Sequence, residues 1–369
     1  MRLLTVGSLP PEWGGPERGG VATFHASLLS GLLERVDVEV VGTLPPSPLD
    51  REVPMPVFAR PADIGRAAFY GDLLERLRPD AVVMNHVANT FGVTHARLRS
   101  PPPALGVVHS WHNVTFRAGE ERRHAMGLTE EAMSGLSGVV VPSQHGVAEG
   151  HRLGFRYPAV VEAIHNPLQP LYMDKSIDVA GGERHGVVFL GGLIPRKDPG
   201  ALVEAAALLP GTSVVLAGKG ELEEPLLALI DRLGLDDRVR LAELPRGDDH
   251  LPRVRDLLLG AELLCLPSRS ESFGLAFIEA LSCGTPIVGF GPAVREIRDA
   301  VGIEVGEPLD TESPEEIAAA IERVGAAAWD RGLLRRAAIS AFGLPRIIDR
   351  YVRLLQRVTR PTLEGSRLR

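Results

Sequence analysis

Residues 270 to 289, SESFGLAFIEALSCGTPIVG, put one carboxylate, Glu279, inside an apolar run that reads as a helix, and a second, Glu271, just before it. A buried carboxylate without hydrogen-bond donors costs several kcal/mol, so a helix that packs against a core cannot carry one idly. A pair of vicinal hydroxyls, as on a ribose, would supply the donors. Gly274 stands near the helix start, so the N–H groups of Phe273, Gly274 and Leu275 are placed to meet a polar or anionic ligand.

Three other stretches carry residue types that could share such chemistry. In GVVFLGGLIPRKDPG, Arg196 and Lys197 precede a helix expected to start near Pro199. Two cations beside a helix N-terminus can seat a diphosphate, or can be a solvated surface pair. LAGKGELEEPL repeats the theme with Gly218, Lys219 and Gly220. Lysine occurs only at positions 175, 197 and 219, with arginine supplying the remaining positive charge, as a coding bias would produce.

Near the start of the chain, Gly19 and Gly20 open a helix with the apolar face Val21, Phe24, Leu28 and Leu32. This is either a plain loop-to-helix turn or a phosphate or sugar site. The dinucleotide spacing G-x-G-x-x-G is absent there. The strand ALGVVHSWHNV ends in His109, Trp111, His112 and Asn113. Two histidines three apart lack a third metal ligand at a convincing spacing, which leaves a sugar-hydroxyl contact or a structural role.

These residues follow short apolar runs that alternate with amphipathic stretches, the pattern of parallel sheets with crossover helices. The first half offers RLLTVG, VDVEVVG, AVVMNH, ALGVVHS, GVVVPS and VVEAIHN as strands, and the second GVVFLGG, SVVLAGKG, VRLAEL, ELLCLPS, PIVGFG and GIEVG. The α/β fold expected is therefore two doubly wound, Rossmann-like domains, with sheets facing across a cleft at the carboxyl ends of their strands, where such sheets bind ligands. The expected boundaries are 1–170 for the first domain, 171–184 for a linker rich in Pro, Gly and charge, and 185–343 for the second domain. A C-terminal helix, 344–369, has apolar residues at helical spacing and is expected to pack back toward the first domain.

Composition narrows the function classes. With 44% hydrophobic and 24% charged residues the chain is globular, and a net charge of -7 gives no basic surface for nucleic acid. Cys265 and Cys283 form no disulfide or zinc pattern, so a reducing, cytoplasmic location is expected. The N-terminal apolar run is too short for a signal peptide, and no apolar window reaches the roughly 18 residues that span a bilayer. Any membrane contact would be peripheral, and oligomeric state cannot be read from these features.

Taken together, the Gly-Gly loop, VVHSWHN, VVVPSQHGV, HNP at 165–167, GGLIPRKDP, AGKGE, the C-terminal helix and above all the Glu-seven residues-Glu motif from Glu271 to Glu279 resemble the retaining glycosyltransferases of family 4. The resemblance covers nearly the whole chain. It implies the GT-B fold and a nucleotide-diphosphate sugar as co-substrate, with no cofactor; no Asp-x-Asp stands at a strand end to hold a metal, so catalysis without a divalent metal is expected. The first domain would hold a polar acceptor (a saccharide, an aminocyclitol or another metabolite), and the second the nucleotide sugar.

By the same resemblance Glu279 would accept the ribose hydroxyls, Glu271 would contact the transferred sugar, and Phe273, Gly274 and Leu275 would hold sugar or diphosphate through their N–H groups. Lys197 would bind the diphosphate with Arg196 beside it, His112 would lie near the transferred sugar, and Gly20 beside the diphosphate or the acceptor. The backbone from Leu241 to Leu244 would meet the base, while Trp13, Gly19, His109 and Asn113 would face the acceptor. His112, Lys197 and Glu271 are the residues expected to act in catalysis. One departure stands out: Gly192 occupies the place of the family's usual arginine. The competing expectations are a non-hydrolysing nucleotide-sugar epimerase and a non-catalytic subunit that binds nucleotide sugar.

Overall fold

The computed structural model describes residues 1–7, 19–35, 39–44, 55–87, 90–179, 181–245 and 249–359; Trp13 lies outside them. The chain divides into two compact units, one formed by Met1–Pro167 with Leu344–Arg369 and the other by Leu168–Gly343.

The first unit runs β1 (Arg2–Val6), α1 (Gly20–Leu33), β2 (Glu39–Leu44), β3 (Val57–Ala59), α2 (Arg66–Leu77), β4 (Ala81–Met84), α3 (Thr90–Arg97), β5 (Ala104–Val107), α4 (His112–Thr115), α5 (Gly119–Ser134), β6 (Gly138–Val141), α6 (Gln144–Arg152) and β7 (Val161–Ala163). The second runs β8 (Val187–Leu190), α7 (Pro199–Ala207), β9 (Val214–Ala217), α8 (Glu223–Leu233), β10 (Val239–Ala242), α9 (His250–Gly260), β11 (Leu263–Leu266), α10 (Leu275–Ser282), β12 (Ile287–Phe290), α11 (Gly291–Val301), β13 (Gly306–Leu309), α12 (Pro314–Ala326) and α13 (Arg331–Phe342). α14 (Leu344–Thr359) then returns to the first unit.

The strand orders are β3-β2-β1-β4-β5-β6-β7 and β10-β9-β8-β11-β12-β13, with every pair parallel. β4, β5, β6 and β11 are buried along their whole length, as expected of strands covered by helices on both faces. Each sheet reverses direction of growth at one point, between β1 and β4 in the first and between β8 and β11 in the second. Ligands of doubly wound sheets bind outside the carboxyl ends of the strands at such a switch point.

Three details differ from the pattern read in the sequence. The first sheet has a seventh strand, β3, only three residues long and set among prolines, too short to show alternation. The last strand is displaced from 302–306 to Gly306–Leu309, because Gly302, left-handed at φ 72°, ends α11. Pro308 is tolerated there since β13 is an edge strand. Finally, the segment 171–184 lies within the second unit, where Tyr172 is fully buried and the Arg335 guanidinium donates to its carbonyl at 2.8 Å.

α14 buries Ile347, Ile348, Tyr351, Leu354 and Leu355. It can approach α1 closely because position 31 is glycine: a Cβ there would lie 2.3 Å from Ile348. Phe24 of α1 meets the Tyr351 ring at 6.1 Å, and the Arg350 guanidinium donates to the Ala163 carbonyl at the end of β7 at 2.7 Å.

Candidate functional site

At the switch point of the second unit, the loop after β8 and the loop after β11 bring together residues 74 positions apart. Lys197 ends a short 3-10 turn, Pro195–Lys197, and its ammonium donates to Glu271 Oε1. Ser268 Oγ donates to the same oxygen at 2.7 Å. Both side chains are largely withdrawn from water, with 17% of Lys197 and 6% of Glu271 exposed. Burial alone would push the Glu271 carboxyl up, but the Lys197 ammonium, the Ser268 hydroxyl and the nearby Arg196 hold it below the ordinary range. Glu271 is therefore ionised at neutral pH. Arg196 is fixed by donating from Nη1 to the Ser270 carbonyl at 3.0 Å, so the two cations of the sequence motif both lean on the loop that carries Glu271.

Glycines make this loop arrangement possible. A Cβ at Gly218 would sit 1.8 Å from the Gly191 carbonyl oxygen, and one at Gly220 2.2 Å from that of Leu193, so the loops after β8 and β9 pack backbone on backbone. Gly192 is different: the nearest atoms to a Cβ there belong to Ile194 at 3.8 Å. Helix α7 then starts with Pro199 at its first position, and the preceding Asp198 is paired with Arg269 at 2.8 Å.

α10 starts at Leu275, with Gly274 as its cap in the left-handed region at φ 85°. A Cβ at Gly274 would meet the Phe277 ring at 2.3 Å, so conformation and space both require glycine. The Phe273 side chain is fully buried against Phe342, with ring centroids 5.4 Å apart, so its ring is not presented to a ligand. The first N–H groups of the helix, from Gly274 onward, have no acceptor within it.

Glu279 faces inward from the second turn of α10 and is 9% exposed. Among the described residues no donor reaches its carboxylate, and burial pushes it up to about 7. It is the group that the sequence pattern singles out as needing donors, and the described residues supply none. Leu241 lies half-buried in β10, an edge strand of its sheet, whose outer side meets no other strand among the described residues.

In the first unit, the sequence-derived candidates separate into surface and interior groups. Gly19 caps α1 with φ 113°, and both it and Gly20 are exposed. His112 and Asn113 begin the four-residue helix α4 and are half-buried; the His112 ring meets Phe116 edge-on at 5.6 Å. Trp111 is structural: it is 4% exposed, stacks on Phe155 at 4.6 Å and donates from Nε1 to the Gly146 carbonyl at 2.7 Å.

His109 is buried at the end of β5, with its Nε2 3.0 Å from Asn85 Oδ1 and its ring against Phe24 at 4.8 Å. Burial first, then His86 and His25 nearby, push it down to about 3, so it is neutral. Asn85, just past β4 at the switch point, was not among the candidates read from sequence; its position directly after the strand AVVM was the available signal. Among the described residues no group of three or more His, Cys, Asp or Glu side chains is arranged to hold a metal ion, and no helix is long and apolar enough to cross a membrane.

Residues 176–328 match the family model "Glycosyl transferases group 1". A D-inositol 3-phosphate glycosyltransferase of Mycolicibacterium vanbaalenii is 30% identical over 64% of the chain and 57% of its own length. The enzyme of the same name from Mycobacterium tuberculosis H37Ra is 32% identical over 62% of the chain and 48% of its own. The chain thus spans only about half the length of these curated relatives.

Among solved structures, HepE of Anabaena in complex with UDP and glucose superimposes with a TM-score of 0.72 at 20% identity, covering 96% of this chain and 99% of that one. The sucrose-phosphate synthase of Thermosynechococcus elongatus gives 0.74 at 17%, covering 97% and 98%. The fold is therefore the two-unit, Rossmann-like GT-B type.

Proposed function

We propose that the chain is a retaining glycosyltransferase that moves a sugar from a nucleotide-diphosphate sugar to a hydroxyl of a polar acceptor, with no divalent metal. The observation that carries this reading is Glu279, a buried carboxylate that no donor reaches among the described residues, eight positions after an ionised Glu271 paired with Lys197. The hydroxyls of a ribose complete Glu279. Lys197, Arg196 and the N-terminus of α10 take the diphosphate, and Glu271 takes hydroxyls of the transferred sugar. The backbone from Leu241 to Leu244 meets the base. Support comes from the family match over the second unit and from relatives whose names specify glycosyl transfer to D-inositol 3-phosphate; a structural neighbour holds UDP and glucose.

In this mechanism the bond from the anomeric carbon to the diphosphate breaks as the acceptor oxygen bonds to that carbon from the same face. The acceptor's proton passes to the leaving phosphate. Cations and helix N–H groups already oriented toward the developing negative charge lower the barrier without reorganising. The first unit brings the acceptor, with Gly19, Gly20, His109, His112 and Asn113 as the residues proposed to meet it or the sugar. His112 is the one proposed to approach the transferred sugar. No observation favours the epimerase or the non-catalytic binding subunit.

Thermal-shift screening against nucleotide diphosphates and nucleotide sugars tests the donor half, because a ligand at a hundred times its Kd stabilises by about 2.7 kcal/mol. A shift with a nucleotide sugar, lost in Glu279→Gln, is expected. No shift with any of them contradicts the reading.

A further inference from the structure

Asn85 sits 1% exposed where β1, β4, β5 and the start of α1 converge. Its backbone N–H donates to the Val6 carbonyl at 2.8 Å, and Nδ2 donates to the Val21 carbonyl, in the first turn of α1, at 3.3 Å. A carbonyl can only accept, so the amide NH2 must face Val21 and the amide oxygen must face His109. That oxygen accepts from His109 Nε2 at 3.0 Å, which puts the imidazole proton on Nε2. The ring also makes a hydrogen bond with the Asn85 backbone, and with the proton on Nε2 it is Nδ1 that carries the ring's lone pair. The packing is tight enough to hold this arrangement: a Cβ at Gly7 would lie 2.5 Å from the Asn85 Cβ and 3.0 Å from the His25 ring.

We infer that Asn85 is a positioning residue: it locks His109 in the neutral Nε2–H tautomer and ties it to the glycine-opened start of α1, so that Nδ1 accepts a hydrogen bond from a hydroxyl of the acceptor sugar or polyol. This rests on the transferase reading and assigns a hydroxyl contact within it. The titratable groups around the ring favour the neutral form, since His25 from α1 and His86 after β4 both oppose a positive charge on His109. A neutral acceptor nitrogen suits a hydroxyl ligand, whereas an imidazolium would present two donors.

The test uses the full chain labelled with 15N-histidine, with His109→Gln to identify the signal. Long-range proton–nitrogen spectra should show His109 as a single Nε2–H tautomer from pH 5 to pH 8, and a mixture of tautomers in Asn85→Ser. A wild-type Nδ1–H tautomer, or titration near pH 6.5, overturns the inference. In steady-state kinetics Asn85→Ser should raise the acceptor KM at least tenfold and leave the donor KM unchanged; an unchanged acceptor KM also overturns it. The tautomer measurement needs no substrate, so a chain that shows the lock but transfers no sugar fails the transferase reading alone.

Discussion

A carboxyl pushed up to about 7 by burial, as at Glu279, gives up its proton around neutrality, and vicinal hydroxyls donate best to the ionised form. Donor affinity should therefore rise with pH, by at most about tenfold per unit below 7, and level off above 8. Calorimetric titration across that range checks this. Glu279→Gln should weaken the donor by about 1–3 kcal/mol, the scale of a hydrogen bond to a charged group, and flatten the pH profile. The same residue makes a stability prediction. Its carboxyl ionises later in the folded protein than its ordinary value of 4.5, so stability is lost as pH rises from 4.5 through about 7. Glu279→Gln should then be more stable than wild type at pH 8, with the difference in Tm shrinking toward pH 5. Lys197→Ala removes a cation from the proposed diphosphate seat, and kcat should drop about 100-fold or more. EDTA should leave wild-type turnover unchanged, and an EDTA-sensitive enzyme would refute the metal-free reading.

The elements decide which of these residues can act together, and here glycines carry much of the specification. Gly274→Ala forces a Cβ into the Phe277 ring and strains a left-handed cap, so melting should show a loss of more than about 1 kcal/mol together with weaker donor binding. Gly192→Arg is the opposite case. Position 192 has open space and does not take a positive φ, so the variant should fold with a stability change within about 0.5 kcal/mol. It should bind the donor more tightly by adding a cation to the seat. The strand-helix alternation was legible from sequence because buried parallel strands are continuous apolar runs, and the charge in α10 was legible because it broke such a run. The pairing of Lys197 with Glu271 was not, since it depends on which loops the switch point brings together. β3 was too short for any period, and Asn85 looked like an ordinary residue after a strand until its three hydrogen bonds were seen.

At the scale of the whole molecule each unit has its own apolar core, one including Val82, Met84, Val139 and Trp111 and the other Phe189, Leu264, Phe277 and Ile287. α14 belongs to the first core's unit although it is distant in sequence. Deleting residues 344–369 should lower the unfolding temperature of the first unit, by uncovering the apolar face of α1, and leave the transition of the second unchanged; scanning calorimetry separates the two. The central claim, that the chain transfers a sugar with retention and without metal, is tested most directly by a proton NMR time course of a donor that stabilises the protein, incubated in EDTA with an acceptor panel that includes inositol phosphates. The account predicts loss of the donor's anomeric signal and growth of a product signal with the same anomeric configuration. A product of opposite configuration, or neither transfer nor hydrolysis with any nucleotide sugar, would contradict it.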